Sequence, residues 1–195
     1  MRVVLNHVAH AFRAGSRLRL AISTAYWPVV WPSPAPVTLS VFGGGLELPV
    51  RSPGGSTPRF AEPEGAPPPQ YTELRPMRVE RAMRRAGDET TYTVVSETGA
   101  FRAGGPGRLD AIDLEMEERS ERRYRVRDED PLSARADVVH GLGLRRAGWA
   151  VRVETCATLS ATPTRFELEA KLDAFENEVL VRSRKWVRTI PRDGV

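Results

Sequence analysis

Between residues 134 and 174 apolar and polar side chains alternate almost without interruption, and this pattern constrains the fold more than any other feature of the chain. In "SARADVVHGLGLRR" the residues Ala134, Ala136, Val138, His140, Leu142 and Leu144 share one parity. "GWAVRVETCATLS" places Trp149, Val151, Val153, Thr155, Ala157 and Leu159 in the same way, and "RFELEAKLDAF" sets Phe166, Leu168, Ala170, Leu172 and Ala174 against Arg165, Glu167, Glu169, Lys171 and Asp173. Successive side chains of a strand point to opposite faces, so a period of two marks a strand with one face covered and one solvated. The connections "RAG", "TPT" and "EN" are short and of turn composition, which predicts an antiparallel meander. A final strand in "EVLVRSRKWVRTI" alternates less regularly and is expected to carry a bulge.

The preceding segment, "LEMEERSERRYRV", reads two ways. Glu115 and Arg119, Glu118 and Arg122, and Glu121 and Arg125 stand at helical i,i+4 spacing. As a strand the same residues put Ile112, Leu114, Met116, Tyr124 and Val126 on one face. Strand-like neighbours favour the strand.

Alternation also appears near the N-terminus. "SRLRLAIS" aligns Leu18, Leu20 and Ile22, and "VTLSVF" and "LELPV" flank "GGG" at 43–45, where glycine suits a tight hairpin. Between them lies "STAYWPVVWPSPAPV", in which Trp27, Trp31, Ser33 and Ala35 each precede a proline. Pre-proline residues are driven to extended backbone and prolines offer no N–H, so this segment is neither a central strand nor a helix. It is a stiff crossover whose large rings need an apolar surface. Residues 51–70 are too rich in Pro and Gly for regular structure and form a loop or linker, dividing the chain into 1–50, 51–70 and 71–195.

Composition removes several function classes. The chain has 195 residues, 41% hydrophobic and 28% charged, with a net charge of +4. The arginines are interleaved with Glu and Asp, as in "EMEERSERRYRVRDED", which describes a solvated mixed-charge face and not a phosphate track, so no nucleic-acid partner is expected. The single cysteine, Cys156, excludes an intramolecular disulfide and a multi-cysteine metal site. The longest apolar run, "AYWPVVW", is far shorter than the ~20 residues of a membrane helix, and no signal peptide is apparent; no membrane partner and a cytoplasmic location are the expectations.

Candidate chemistry is sparse. No G-x-S-x-G pentapeptide exists, and "GGST" at 54–57 lies in the Pro-rich loop. In an extended "NHVAHAF", His7 and His10 point to opposite faces and share no metal. His140 falls on an apolar face, where a histidine satisfied by a hydrogen bond is the ordinary reading. Cys156 falls on the polar face with Arg152 and Glu154 and has no identifiable base. "GGPG" at 104–107 opens no helix after a strand, so no phosphate site follows. No catalytic residue, cofactor or metal is assigned.

Two motifs, "AH-x-F-x-AG-x-R-L-R-L-A-I-S-T" around His10, Phe12 and Gly15, and "YWP-x-x-WPSP", resemble the C-terminal β-sandwich of the CocE/NonD serine hydrolases, relatives of the Xaa-Pro dipeptidyl-peptidases. The sequence departs from those relatives at His7 and Ser16. Residues beyond the linker look like a C-terminal extension of one subgroup.

The resemblance implies an all-β chain: an antiparallel, jelly-roll-like β-sandwich incomplete at its N-terminus, followed by the meander. It implies a split or truncated product, or a misassigned start, ahead of a stand-alone remnant. In that family the catalytic Ser, Asp and His lie in an α/β-hydrolase domain upstream; none is matched here, so inactivity of this chain alone is expected. The implied partner is that α/β-hydrolase domain, upstream or in trans, stabilised and shaped by this chain through Tyr26, Trp27, Pro28, Trp31, Pro32 and Pro34. The alternative is a carbohydrate- or protein-binding sandwich module with Trp27 and Trp31 as stacking platforms.

Overall fold

The computed structural model describes residues 2–192 except 52–53, 55–57 and 100–103. Most of "GGST" therefore lies outside the described residues. Among those described there are nine strands: β1 (Tyr71–Glu73), β2 (Arg78–Ala86), β3 (Glu89–Thr98), β4 (Gly107–Leu109), β5 (Leu114–Arg127), β6 (Asp130–Arg146), β7 (Trp149–Ala161), β8 (Arg165–Glu176) and β9 (Val179–Pro191). A 3-10 turn at Asp110–Ile112 joins β4 to β5, which moves Ile112 out of the strand face expected to include it.

Strands β5 to β9 pair consecutively and antiparallel. The other side of β5 is shared: the β2–β3 hairpin covers residues 118–127, and the β1–β4 pair covers residues 114–116. The expected all-β, antiparallel class is borne out, as one open sheet.

The turns explain the meander's register. Two-residue hairpin loops that follow the right-handed strand twist need positive φ. Asn177 and Glu178, at φ 45 and 65, supply it between β8 and β9, and Gly148, at φ 71, between β7 and its predecessor. Asn177 also ties this turn to β7, its Oδ1 accepting from Ala150 N at 3.0 Å and its N donating to Ala150 O at 2.8 Å. The bulge expected in the last strand is present: Ala174 and Phe175 of β8 pair with Arg182 and Leu180, which leaves Val181 of β9 as the extra residue.

Register fixes the two faces. Tyr124, Ala136, Leu159 and Leu168 lie side by side across β5 to β8, as do Met116, Leu144 and Val151 across β5 to β7. This apolar face is half-buried by its own neighbours, and among the described residues Ala134 is its one apolar side chain to reach full burial. The opposite face carries ion pairs: Arg145 with Glu115 at 2.5 Å, Arg125 with Asp137 at 2.5 Å, Arg135 with Asp137 at 3.0 Å and Lys171 with Asp173 at 2.6 Å. In β5 the helical i,i+4 pairing gives way to these cross-strand partners. The strand reading of that segment holds.

The N-terminal third differs. Described residues between 2 and 70 contain no strand, so the strands expected at 17–24, 37–42 and 46–50 and the hairpin at "GGG" do not form. Leu18, Leu20, Ile22, Leu39 and Val41 are each more than half exposed. Alternation supplies a strand with a face but not with a neighbour, and no ladder partner lies alongside these residues. Arg2 and Glu47 meet at 3.2 Å, but both side chains are almost wholly exposed and such a pair holds little.

Candidate functional site

The sequence feature richest in stiff apolar surface, residues 26–34, is the place where the N-terminal third touches the sheet. A turn at Tyr26–Val29 begins the contact: Tyr26 O accepts from Val29 N at 2.9 Å and from Val30 N at 2.8 Å, with Trp27–Pro28 in the cis form. A cis proline at the third position defines a type VI turn. The two hydrogen bonds to Tyr26 O fold the segment back at this point, where the sequence alone favours extended backbone.

The fold-back brings Trp27 and Trp31 together, edge to face, with ring centres 4.9 Å apart. From there the two rings diverge onto the apolar face of the sheet. Trp27 meets Tyr124 of β5 at 5.9 Å, and Trp31 meets Phe166 of β8 at 5.5 Å, both nearly perpendicular. Tyr124 in turn stacks on Tyr92 of β3 at 6.3 Å. Edge-to-face geometry sets the positive ring edge against a negative ring face and adds about 0.5–1.5 kcal/mol per pair beyond area burial. Trp31 Nε1 is buried without a hydrogen-bond partner among the described residues, so packing holds this ring.

Arg192 closes the contact from the C-terminal side. Its guanidinium donates to Pro32 O at 2.6 Å and to Thr162 O at 3.2 Å, and sits 4.9 Å from the centre of the Phe166 ring. Its backbone N donates to Thr164 O at 2.9 Å. The side chain thus joins residue 32, the β7–β8 turn and β8. Arg192 is 8% exposed, and burial lowers its pKa while the guanidinium stays charged at neutral pH. Carbonyl oxygens and a ring face are the groups that suit a buried guanidinium.

All six residues singled out in the sequence lie on this clip, but they do not share one environment. Trp27, Pro28, Trp31, Pro32 and Pro34 are half-buried, whereas Tyr26 is 65% exposed. Val29 and Val30 also face outward. The residues that receive the clip, Tyr124, Phe166 and Arg192, were not anticipated. The odd aromatic position on each strand was a visible signal, but nothing local to 124, 166 or 192 pairs them with residues 27–32.

The other candidates have ordinary surroundings. His140 Nε2 lies 3.0 Å from Glu118 Oε1 on the apolar face, beside a Ser96–Ser120 hydroxyl pair at 2.8 Å, so the histidine is satisfied as expected. His10 packs edge-on against Phe12 at 5.0 Å. Cys156 is exposed on the charged face opposite Lys171. A groove of about 640 Å³ on that face is lined by Arg119, Arg123 and Lys171 together with Glu121, Asp137, Glu154 and Asp173, a mixture of both signs. Among the described residues no cluster of His, Cys, Asp or Glu is arranged to hold a metal, and no helix is long and apolar enough to cross a membrane.

Asp137 shows how this charged face is held. Burial works to raise its pKa, but hydrogen bonds from Thr158, Arg125 and Arg135 outweigh it and leave the carboxyl below its ordinary value. The ionised carboxylate is the form that the three donors hold.

Residues 1–60 match the family model of the X-Pro dipeptidyl-peptidase C-terminal non-catalytic domain, which bears out the resemblance carried by the two motifs. Neither a curated protein nor a solved structure matches the chain. The matched region contains the whole aromatic–proline clip; the sheet that receives it lies entirely outside the match.

Proposed function

We propose that the chain is a non-catalytic β module of a CocE/NonD or Xaa-Pro dipeptidyl-peptidase-like serine hydrolase, and that it stabilises and shapes the hydrolase domain. One observation supports this above the rest: the segment matching the non-catalytic domain is fastened by Trp27, Trp31 and Pro32 to a sheet that carries an open apolar face. Contiguous apolar surface of this kind marks a protein interaction site.

In this reading Tyr26, Trp27, Pro28, Trp31, Pro32 and Pro34 form a two-sided interface. The inner rings hold the matched segment to the sheet, and the outward Tyr26, Val29 and Val30 meet the α/β-hydrolase domain. Aromatic residues of this kind concentrate binding energy at protein interfaces. The chemistry of ester or Xaa-Pro amide hydrolysis belongs to that domain, and the module contributes geometry to it.

Two measurements test the reading. The purified chain incubated with p-nitrophenyl esters and Xaa-Pro-anilides is expected to show no turnover above buffer; turnover removes the non-catalytic assignment. Added to a hydrolase domain of this family lacking its own C-terminal domain, the chain is expected to raise that domain's melting temperature, with a weaker effect from the Tyr26→Ala variant. An unchanged melting temperature removes the stabilising role.

A further inference from the structure

Strand β9 is an edge, and its exposed backbone runs for 13 residues. An unpaired strand edge offers a row of N–H and C=O groups to another chain. On the apolar face β9 presents Arg182, Arg184, Trp186 and Arg188, opposite Ala174, Leu172, Ala170 and Leu168 of β8. Arg184 lies over the Trp186 ring at 4.9 Å. On the charged face Lys185 stands directly opposite Lys171.

The charges of β9 differ from those of the rest of the sheet. It holds four cations and no carboxylate. Among the described residues no carboxylate forms an ion pair with Arg182, Arg184, Lys185 or Arg188, while Arg125 of β5 and Arg145 of β6 are paired across strands, Arg135 is paired within β6, and Arg152 of β7 is paired with Glu178 of the β8–β9 turn. The edge strand β2 has two of its four arginines paired, Arg78 with Glu80 and Arg85 with Asp128. Of the two lysines that stand opposite each other, Lys171 is paired with Asp173, and Lys185 is the one left for a carboxylate on its outer side to meet.

Cations also guard an edge against self-association, because two β9 strands paired in register would set arginine against arginine. Guarding requires charge alone. On β9 the charge is set in alternate register beside exposed Val179, Leu180, Val187 and Ile190, which is the pattern of a strand awaiting a complementary neighbour.

We propose that the free edge of β9 is a strand-addition site for an acidic, extended segment of a partner polypeptide, with carboxylates at alternate positions over Arg182, Arg184 and Arg188. Main-chain hydrogen bonds supply adhesion in this mode and side-chain alternation supplies selectivity. The attraction weakens with added salt, because these cations are exposed.

The test uses the full chain, hydrogen exchange at the β9 amides, and three capped peptides: five Glu–Thr repeats, five Lys–Thr repeats, and the Glu–Thr peptide N-methylated at alternate residues. The Glu–Thr peptide is expected to slow exchange along β9, and the other two are not. In the Arg182→Glu/Arg184→Glu/Arg188→Glu variant, with its strand content checked by circular dichroism, Glu–Thr binding is expected to fall at least about tenfold and Lys–Thr binding to appear. Absence of protection by the Glu–Thr peptide overturns the proposal. So does equal protection by the N-methylated peptide on the unmodified chain, because that result means charge attraction without strand pairing.

Discussion

Residues 17–50 and residues 114–191 carry the same binary pattern, yet one region forms no strand and the other forms a five-strand meander with an extra hairpin at its side. The difference lies in what flanks the alternation. In the sheet, each strand is returned to its neighbour by a two- or three-residue connection, several with positive φ at the turn, so every strand finds its partner within a few residues. In the N-terminal third the alternating runs are separated by the stiff aromatic–proline segment and by three glycines, and no run lies beside another. Periodicity decides which face of a strand is apolar; turn geometry decides whether there is a sheet for it to join.

Substitutions on the two sides of this comparison are expected to differ in size. The largest effect falls on the apolar face: Leu159→Asp sets a carboxylate between Ala136 and Leu168 and is expected to cost about 2–4 kcal/mol, read by urea unfolding. Glu167→Gln, on the opposite face of the neighbouring strand, is expected to stay within about 0.5 kcal/mol. Equal shifts for the two break the assignment of faces.

Next come the turns. Gly148→Val places a branched side chain at φ 71 and is expected to lower stability by about 1–2 kcal/mol in thermal unfolding. Gly44→Ala, in the glycine run where no hairpin forms, is expected to leave the melting temperature unchanged. A loss at Gly44 as large as that at Gly148 means that the N-terminal hairpin exists in solution.

Smaller still is the effect of acid on the charged face. Asp137 has a folded pKa below its unfolded value, so its contribution is complete above the unfolded value, about 4, and is lost as pH falls through the folded one. The unmodified chain is therefore expected to lose more melting temperature between pH 7 and pH 3 than Asp137→Asn does. An identical loss in both removes Asp137 as a source of acid sensitivity.

The parts of the fold that sequence revealed are those whose interactions are local. Strands β6, β7 and β8 show their faces directly, because each is half-buried on one side throughout. Strand β5 was recoverable in spite of its helical charge spacing, since Leu114, Met116, Tyr124 and Val126 keep one parity. The β2–β3 hairpin leaves little trace in the sequence: β2 is an exposed edge whose "RVERAMRRA" shows little burial contrast, and only the Gly87 turn marks it. The clip was half legible. Trp27 and Trp31 announced a need for apolar surface, but Tyr124, Phe166 and Arg192 come from positions 97 to 160 residues further on, and only folding brings them to the rings.

The clip is also what makes two regions of opposite character one module. A double-mutant cycle between Trp31→Ala and Phe166→Leu, followed by urea unfolding of the full chain, measures it directly. The edge-to-face contact at 5.5 Å predicts a coupling of about 0.5–1.5 kcal/mol. Strict additivity, within about 0.3 kcal/mol, contradicts the claim that the matched segment is held on the sheet.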